Sequence, residues 1–233
     1  MTWAVVPVKD LAGAKARLSE ALSPEERRAL AAAMLRDVLL ALTRTPGLKG
    51  VAVVTRDPEA ATLARSAGAE AWQEERNSGE SAAVEFAARQ CRERGVAAML
   101  VVPGDVPLVR PEDIQSVLAA GDRQPCVVLV PSRDGTGSNA VLRRPPDAIG
   151  SHFGATSFRE HQQEAAARCI PVTIVRNFRL ELDLDTPEDL GFFLVYETAP
   201  TLRPRRPTEA FATLERLGVV KRLSASWIRR TQG

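Results

Sequence analysis

A chain of 233 residues, 45% hydrophobic and 26% charged, has the size and make-up of one ordinary folded domain with at most a small appendage. No apolar stretch is long enough for a membrane span, and the N-terminus enters a strand-like run without a basic leader, so a cytoplasmic protein with neither membrane contact nor signal peptide is expected. The net charge of +2 is uneven: from Ala199 onward eight basic residues face only Glu209 and Glu215, a surplus of six, which leaves −4 on residues 1–198.

The first strand runs from Trp3 and ends near Val8. Ser23-Pro24-Glu25-Glu26 is a capping box with proline at the first helical position. The helix it opens carries Leu30, Met34, Val38 and Leu42 at helical spacing and should reach about Thr45. Val51 to Thr55 reads as a strand, Asp57-Pro58 starts a helix toward Ala67, and Ala69 to Trp72 reads as a short strand. A helix over Ser81–Arg94 leads into the apolar run Val96–Val102, the pattern of a strand buried on both faces. Pro111–Ala120 is a predicted helix, Cys126–Pro131 a strand and Ala140–Leu142 a short strand. Thr156–Arg168 is a predicted helix, Ile170–Val175 a strand, and Thr186-Pro187-Glu188-Asp189 opens another helix. Pro200–Pro207 is linker-like, and a short amphipathic helix, Thr208–Leu217, follows it. Strands separated by helices predict an α/β fold: a mostly parallel central sheet with helices on both faces. Residues 1–198 form the domain in this reading, and 199–233 a basic C-terminal extension.

That extension is poor in aromatics and carries no recognition motif, so no nucleic-acid partner is expected. A solvated appendage or a subunit contact, such as a homodimer interface, accounts for it better. Cys91, Cys126 and Cys169 are odd in number and widely spaced, which predicts reduced, buried thiols. With His152 and His161 the only histidines, a zinc site is not expected.

Four loops with polar chemistry each follow a strand, so a parallel sheet would gather them at one edge. Lys9, Lys15 and Arg17, just past the first strand, suit a polyphosphate, the lysines as point charges and the arginine as a fork; a solvated basic loop would look the same. Gly104-Asp105-Val106-Pro107-Leu108 puts one carboxylate at the end of a buried strand, either as a divalent-cation ligand or as a turn residue. Ser132–Asn139, with Thr136 and Ser138, offers small residues, hydroxyls and an amide to an anion, or forms a plain hairpin. Asp183 and Asp185 point to one side of an extended segment, where they can face a metal while Asp185 or Thr186 caps the next helix. Between the last two loops, Gly154 and Ser157 flank a helix N-terminus, an anion site or a simple cap. Cations at one strand end and carboxylates at two others together favour a metal-nucleotide site.

Pro7-Val8-Lys9 with Ala14-Lys15-Ala16-Arg17-Leu18, Gly104–Leu108, Gly137-Ser138-Asn139, Phe153-Gly154 with Ser157-Phe158 and His161, and Asp183–Leu190 resemble the phospholactate/phosphoenolpyruvate guanylyltransferases of coenzyme F-420 biosynthesis. The resemblance spans about residues 3–196. It implies a Rossmann-like fold of the GT-A nucleotidyltransferase type, with Mg²⁺ held by Asp105 and Asp185 and with Asp183 close by. Lys9, Lys15 and Arg17 would bind the phosphates of GTP. Asn139, Gly154 and Ser157, together with Thr136 and Ser138, would take the phosphate and carboxylate of a small phosphorylated acid. Phosphoenolpyruvate is the favoured acceptor, ahead of 2-phospho-L-lactate and 3-phospho-D-glycerate. Asn77-Ser78-Gly79-Glu80-Ser81 departs from the family's commoner Gly-Leu-Asn pattern near the base and ribose. Rival readings are another nucleotidyltransferase or glycosyltransferase of the same fold, and a non-catalytic nucleotide-binding scaffold.

Overall fold

The computed structural model describes residues 1–74, 79–199 and 206–223. Asn77 and Ser78 of the divergent loop, and most of the linker-like stretch after Ala199, lie outside the described residues.

Sheet and helices alternate as the hydrophobic pattern requires. β1 (Thr2–Pro7) leads through a single 3₁₀ turn, Ala16–Leu18, into α1 (Pro24–Thr43). β2 (Leu48–Val54), α2 (Pro58–Ser66), β3 (Glu70–Trp72), α3 (Glu80–Glu93) and β4 (Ala98–Val101) follow, then α4 (Pro111–Ala120). β5 (Cys126–Pro131) and β6 (Ser138–Arg144) form a hairpin, succeeded by α5 (Ser157–Ala167), β7 (Val172–Ile174), α6 (Phe178–Glu181), α7 (Pro187–Thr198) and α8 (Glu209–Arg216). The seven strands lie in the order β3-β2-β1-β4-β6-β5-β7. All pairings are parallel except those of β6, which runs antiparallel to both β4 and β5.

Alternation along the strands splits the core in two. Ala4 and Val6 of β1 and Leu100 of β4 face one layer with α1, α4, α7 and α8. Val5, Met99 and Val101 face the other, with α3 and Ala165 of α5. The capping boxes read from sequence close as expected: Glu26 N–H donates to Ser23 Oγ at 3.2 Å and Ser23 N–H to Glu26 Oε2 at 2.8 Å. Thr186 and Asp189 close the corresponding box of α7.

The structure differs from the sequence reading in several places, among them β7, which spans Val172–Ile174 where Ile170–Val175 was expected. β6 is seven residues long, not three, because pairing with β5 carries it from Ser138 to Arg144, past the apolar centre. The turn of helix α6, capped by Asn177, had no periodic signal at four residues. Cys91 and Cys126 are buried, but Cys169 is exposed: it follows the end of α5 with φ of 55°, where the chain turns outward.

Beyond residue 199, α8 is packed on the domain. Ala210, Phe211 and Leu214 are buried in the same cluster as α1 and α7, and Phe211 meets Phe193 edge-on at 6.5 Å. Asp37 of α1 accepts the N–H groups of Glu209 at 2.8 Å and Ala210 at 2.9 Å, so an internal carboxylate caps the helix. Burial, with Glu209 and Glu197 nearby, raises the Asp37 carboxyl to about 7 against the pull of those two N–H donors.

Candidate active site

The carboxyl ends of β1, β4 and β5 meet at one edge of the sheet, and the reversed strand β6 begins there. Leu184 N–H donates to the Asp105 carbonyl at 3.0 Å, which ties the segment before α7 to the turn after β4. Leu182 and Leu184 are fully buried, so Asp183 and Asp185 face the opposite way, as alternation predicted. A cavity of about 800 Å³ opens here, walled by Asp105, Asp183 and Asp185, by Thr136 to Asn139, and by Gly154 and Ser157. A second of about 440 Å³ lies beside it, lined by Lys9, Lys15 and Gly13 of the first loop, and Asp105 borders both.

Lys15 stands at the centre. It adopts left-handed φ/ψ of 59° and 39°, unusual for a side chain of this size and characteristic of strain kept at functional sites. The turn drives its ammonium inward, where Nζ donates to Asp105 Oδ2 at 2.5 Å and Asp185 Oδ1 at 2.9 Å. Burial alone would lower its pKa; the two carboxylates overturn that and hold it well above the ordinary lysine value. Asp185, although partly buried, is held below its ordinary value by Lys15 and Arg17. Arg17 is mostly exposed and reaches Asp185 at 3.4 Å, while Lys9 is exposed at the rim. Of the three cations expected as phosphate ligands, Lys15 pairs with Asp105 and Asp185, Arg17 pairs more loosely with Asp185, and Lys9 stands exposed.

Acid outweighs base here. Asp183 is raised to about 6 by burial and by the charge of Asp105. Glu80, at the start of α3, lines the larger cavity; the protein around it and the charge of Asp105 raise it to about 7. Glu80 was not singled out from the sequence as a site residue, because only the fold carries the first turn of α3 to these aspartates. Asp105 Oδ1 is buried with no hydrogen-bond partner among the described residues. No ready-made trio of metal-binding side chains exists among the described residues, and the ammonium of Lys15 stands between two of the acids. Hard carboxylate oxygens, one of them without a partner, fit Mg²⁺.

The other wall is built of donors. At the hairpin tip Asp134, itself on the cavity wall, accepts from the hydroxyls of Ser132 and Thr136. Gly135 has φ of 76°, and a Cβ on Gly137 would meet Ser132 Oγ at 3.1 Å, so the tip requires both glycines. Asn139 directs its amide N–H group to the carbonyls of Leu180 and Glu181 and to Asp183 Oδ1 at 2.9 Å. It therefore orients an acid, where an anion contact was expected. Ser138 N–H donates to Ser157 Oγ at 2.8 Å, and Phe158 N–H to the Thr136 carbonyl at 3.1 Å, which clips the hairpin to α5. The N–H groups of Ala155 and Thr156 meet no acceptor among the described residues and remain open to an anion.

One connection had no sequence signal. Arg133 donates to Asp189 Oδ1 at 2.9 and 3.2 Å and lies over the Phe192 ring at 4.5 Å. The other oxygen of Asp189 accepts from Thr186 N–H at 2.9 Å and Asp185 N–H at 3.4 Å. The hairpin thus grips the backbone of the Asp185 segment.

Residues 2–201 match the family described as "Guanylyl transferase CofC like". Phosphoenolpyruvate guanylyltransferase of Rubrobacter xylanophilus is 41% identical over 204 residues, covering 88% of this chain and 98% of that protein. The 2-phospho-L-lactate guanylyltransferase of Methanothermobacter thermautotrophicus is 36% identical over 195 residues, covering 84% and 85%. Among solved structures, a protein from Desulfovibrio desulfuricans G20 described as a nucleotide-diphospho-sugar transferase superimposes with a TM-score of 0.74. It is 17% identical, over 95% of this chain and 97% of that one, and shares the fold.

Proposed function

The chain belongs to the CofC-like guanylyl transferases, and from that premise we propose that it transfers GMP from GTP to phosphoenolpyruvate with release of pyrophosphate. The observation that carries this reading is the division of the site into an acidic wall at Asp105, Asp183 and Asp185 and a donor wall at Ser138, Ser157 and the N-terminus of α5. The product belongs to coenzyme F-420 biosynthesis in this reading.

The acceptor already carries its nucleophile. An oxygen of its phosphate forms a bond to the α-phosphorus of GTP, the bond from that phosphorus to the α–β bridging oxygen breaks, and pyrophosphate leaves with that electron pair. No general base is required, so the protein's task is alignment and charge neutralisation. Asp105 and Asp185, with Asp183 beside them, would hold Mg²⁺, which when bound offsets the negative charge of the phosphates. Without it, a triphosphate would face these acids with little cationic compensation. Lys9 and Arg17 steer the triphosphate from the rim, and Lys15 keeps the two metal-binding carboxylates apart and ordered. The donor wall fixes the acceptor's anionic groups.

Phosphoenolpyruvate is favoured over 2-phospho-L-lactate because identity to the Rubrobacter enzyme exceeds that to the Methanothermobacter one. Incubation with GTP, Mg²⁺ and each of phosphoenolpyruvate, 2-phospho-L-lactate and 3-phospho-D-glycerate, with pyrophosphate as readout, tests both levels. Release with phosphoenolpyruvate above the others is expected. Release only with CTP, or with no phosphorylated acid, would overturn the assignment.

A further inference from the structure

Whether a serine attracts or repels an anion depends on where its hydroxyl hydrogen points, and for Ser138 the surrounding bonds decide it. His161 is fully buried behind the donor wall, with Nδ1 3.1 Å from Ser138 Oγ. Its Nε2 lies 3.1 Å from the backbone N–H of His152. An amide N–H can only donate, so Nε2 is the bare nitrogen, and a neutral imidazole then carries its hydrogen on Nδ1. Burial and the neighbouring Arg143 push the imidazole down to about 3, so it is neutral in the working pH range. Nδ1–H therefore donates to Ser138 Oγ. The hydrogen of Ser138 is turned away from the ring, and no acceptor among the described residues takes it. Ser157 is in the same state, since its oxygen accepts the N–H of Ser138.

We propose that His161 is a positioning residue: through its fixed tautomer it holds the Ser138 hydroxyl as a donor to an anionic oxygen of the phosphorylated acid. The chain of bonds runs one way, from His152 N–H through the ring to Ser138 and on to the anion, and each bond polarises the next. This rests on the reading of that wall as the acceptor subsite. A serine without the histidine could rotate and present lone pairs to the anion.

Steady-state kinetics with phosphoenolpyruvate and GTP varied separately test the proposal in Ser138→Ala, His161→Phe, His161→Asn and the Ser138→Ala/His161→Phe double variant. The KM for the acceptor should rise on the order of tenfold to a hundredfold in Ser138→Ala and His161→Phe, the range for a lost hydrogen bond to a charged group, while the KM for GTP stays constant. The double variant should be no worse than the poorer single one, because both break the same chain. His161→Asn, whose amide N–H can take the place of Nδ1–H, should recover most of the affinity. Multiplying losses, an equal rise in the KM for GTP, or an unchanged acceptor KM in Ser138→Ala would overturn the proposal. Should His161→Phe fail to fold, Ser138→Ala and His161→Asn still decide it by the same KM split. Wild-type protein that neither turns over nor binds any phosphorylated acid would instead remove the functional reading beneath it.

Discussion

Replacing Asp105 with Asn isolates what one charge contributes, because the side chain keeps its shape. At an effective dielectric of about 20, the gross attraction between Lys15 and Asp105 at 2.5 Å is roughly 7 kcal/mol. The Lys15–Asp185 contact at 2.9 Å supplies roughly 6 kcal/mol on the same scale, before solvent screening. The lysine of the variant therefore keeps a partner, and Asp183 is relieved of the like charge that now helps raise its carboxyl to about 6. Lost attraction and relieved repulsion oppose each other, so the melting temperature should stay within about 4 °C of wild type. Catalysis has no such compensation. Removing an anionic oxygen ligand should lower turnover on the order of 10²–10⁴-fold, about 2.7–5.5 kcal/mol in the barrier. Pyrophosphate release at saturating GTP, Mg²⁺ and phosphoenolpyruvate, beside a thermal melt, measures both. Turnover within about threefold of wild type would refute the metal assignment, and loss of the folded state would refute the electrostatic reasoning.

Chelation of divalent cations with EDTA should stop pyrophosphate release, and excess Mg²⁺ should restore it; activity that survives chelation would contradict the acidic-wall reading. Asp189→Ala frees the backbone at Asp185 and Thr186 from the hairpin, so kcat should fall on the order of tenfold while lost capping costs about 1 kcal/mol in a urea melt. Phe211→Ala should cost about 3–5 kcal/mol of stability, since the ring is buried against Phe193; a loss below about 1 kcal/mol would show that α8 is not part of the core. Because the Asp37 carboxyl is raised from 3.8 to about 7 on folding, the folded chain binds more protons between those values, and this group's contribution falls as pH rises through the window. Urea melts of wild type and Asp37→Asn should show wild type losing up to about 4 kcal/mol relative to the variant between pH 4 and 8, and a constant difference would refute the burial of that charge.

The parts legible in the sequence were those with local causes. Ser23 and Thr186 announced their helices through capping boxes, and the apolar run before Asp105 announced a strand buried on both faces. Asp183 and Asp185 were read correctly as sharing a side, because alternation is a property of the extended chain itself. What stayed hidden depends on contacts between distant segments. Nothing near Lys15 reveals that Asp105 and Asp185, 90 and 170 residues away, claim its ammonium. Asn139 looked like an anion ligand because its amide could donate outward, and only the approach of α6 and Asp183 shows where its hydrogens go. Arg133 was one more charged turn residue until the fold set it against Asp189. The extension after residue 199 was visible as a change of charge, whereas the cap that Asp37 places on α8 joins residues 172 apart.

The reversed strand β6 bears on how this site can vary over evolutionary time. Ser138 and Asn139 open β6 beside β5, and β4 takes the strand up only from Val141 to Arg143, while Arg133 to Gly137 form a tip anchored at its two ends. Exchanges in the tip that spare Arg133, Gly135 and Gly137 can reshape the mouth of the cavity without disturbing the ladder that places the two side chains behind it. Selectivity among small phosphorylated acids can then drift by loop changes, and the transfer chemistry, carried by regular strands and the segment before α7, is inherited intact.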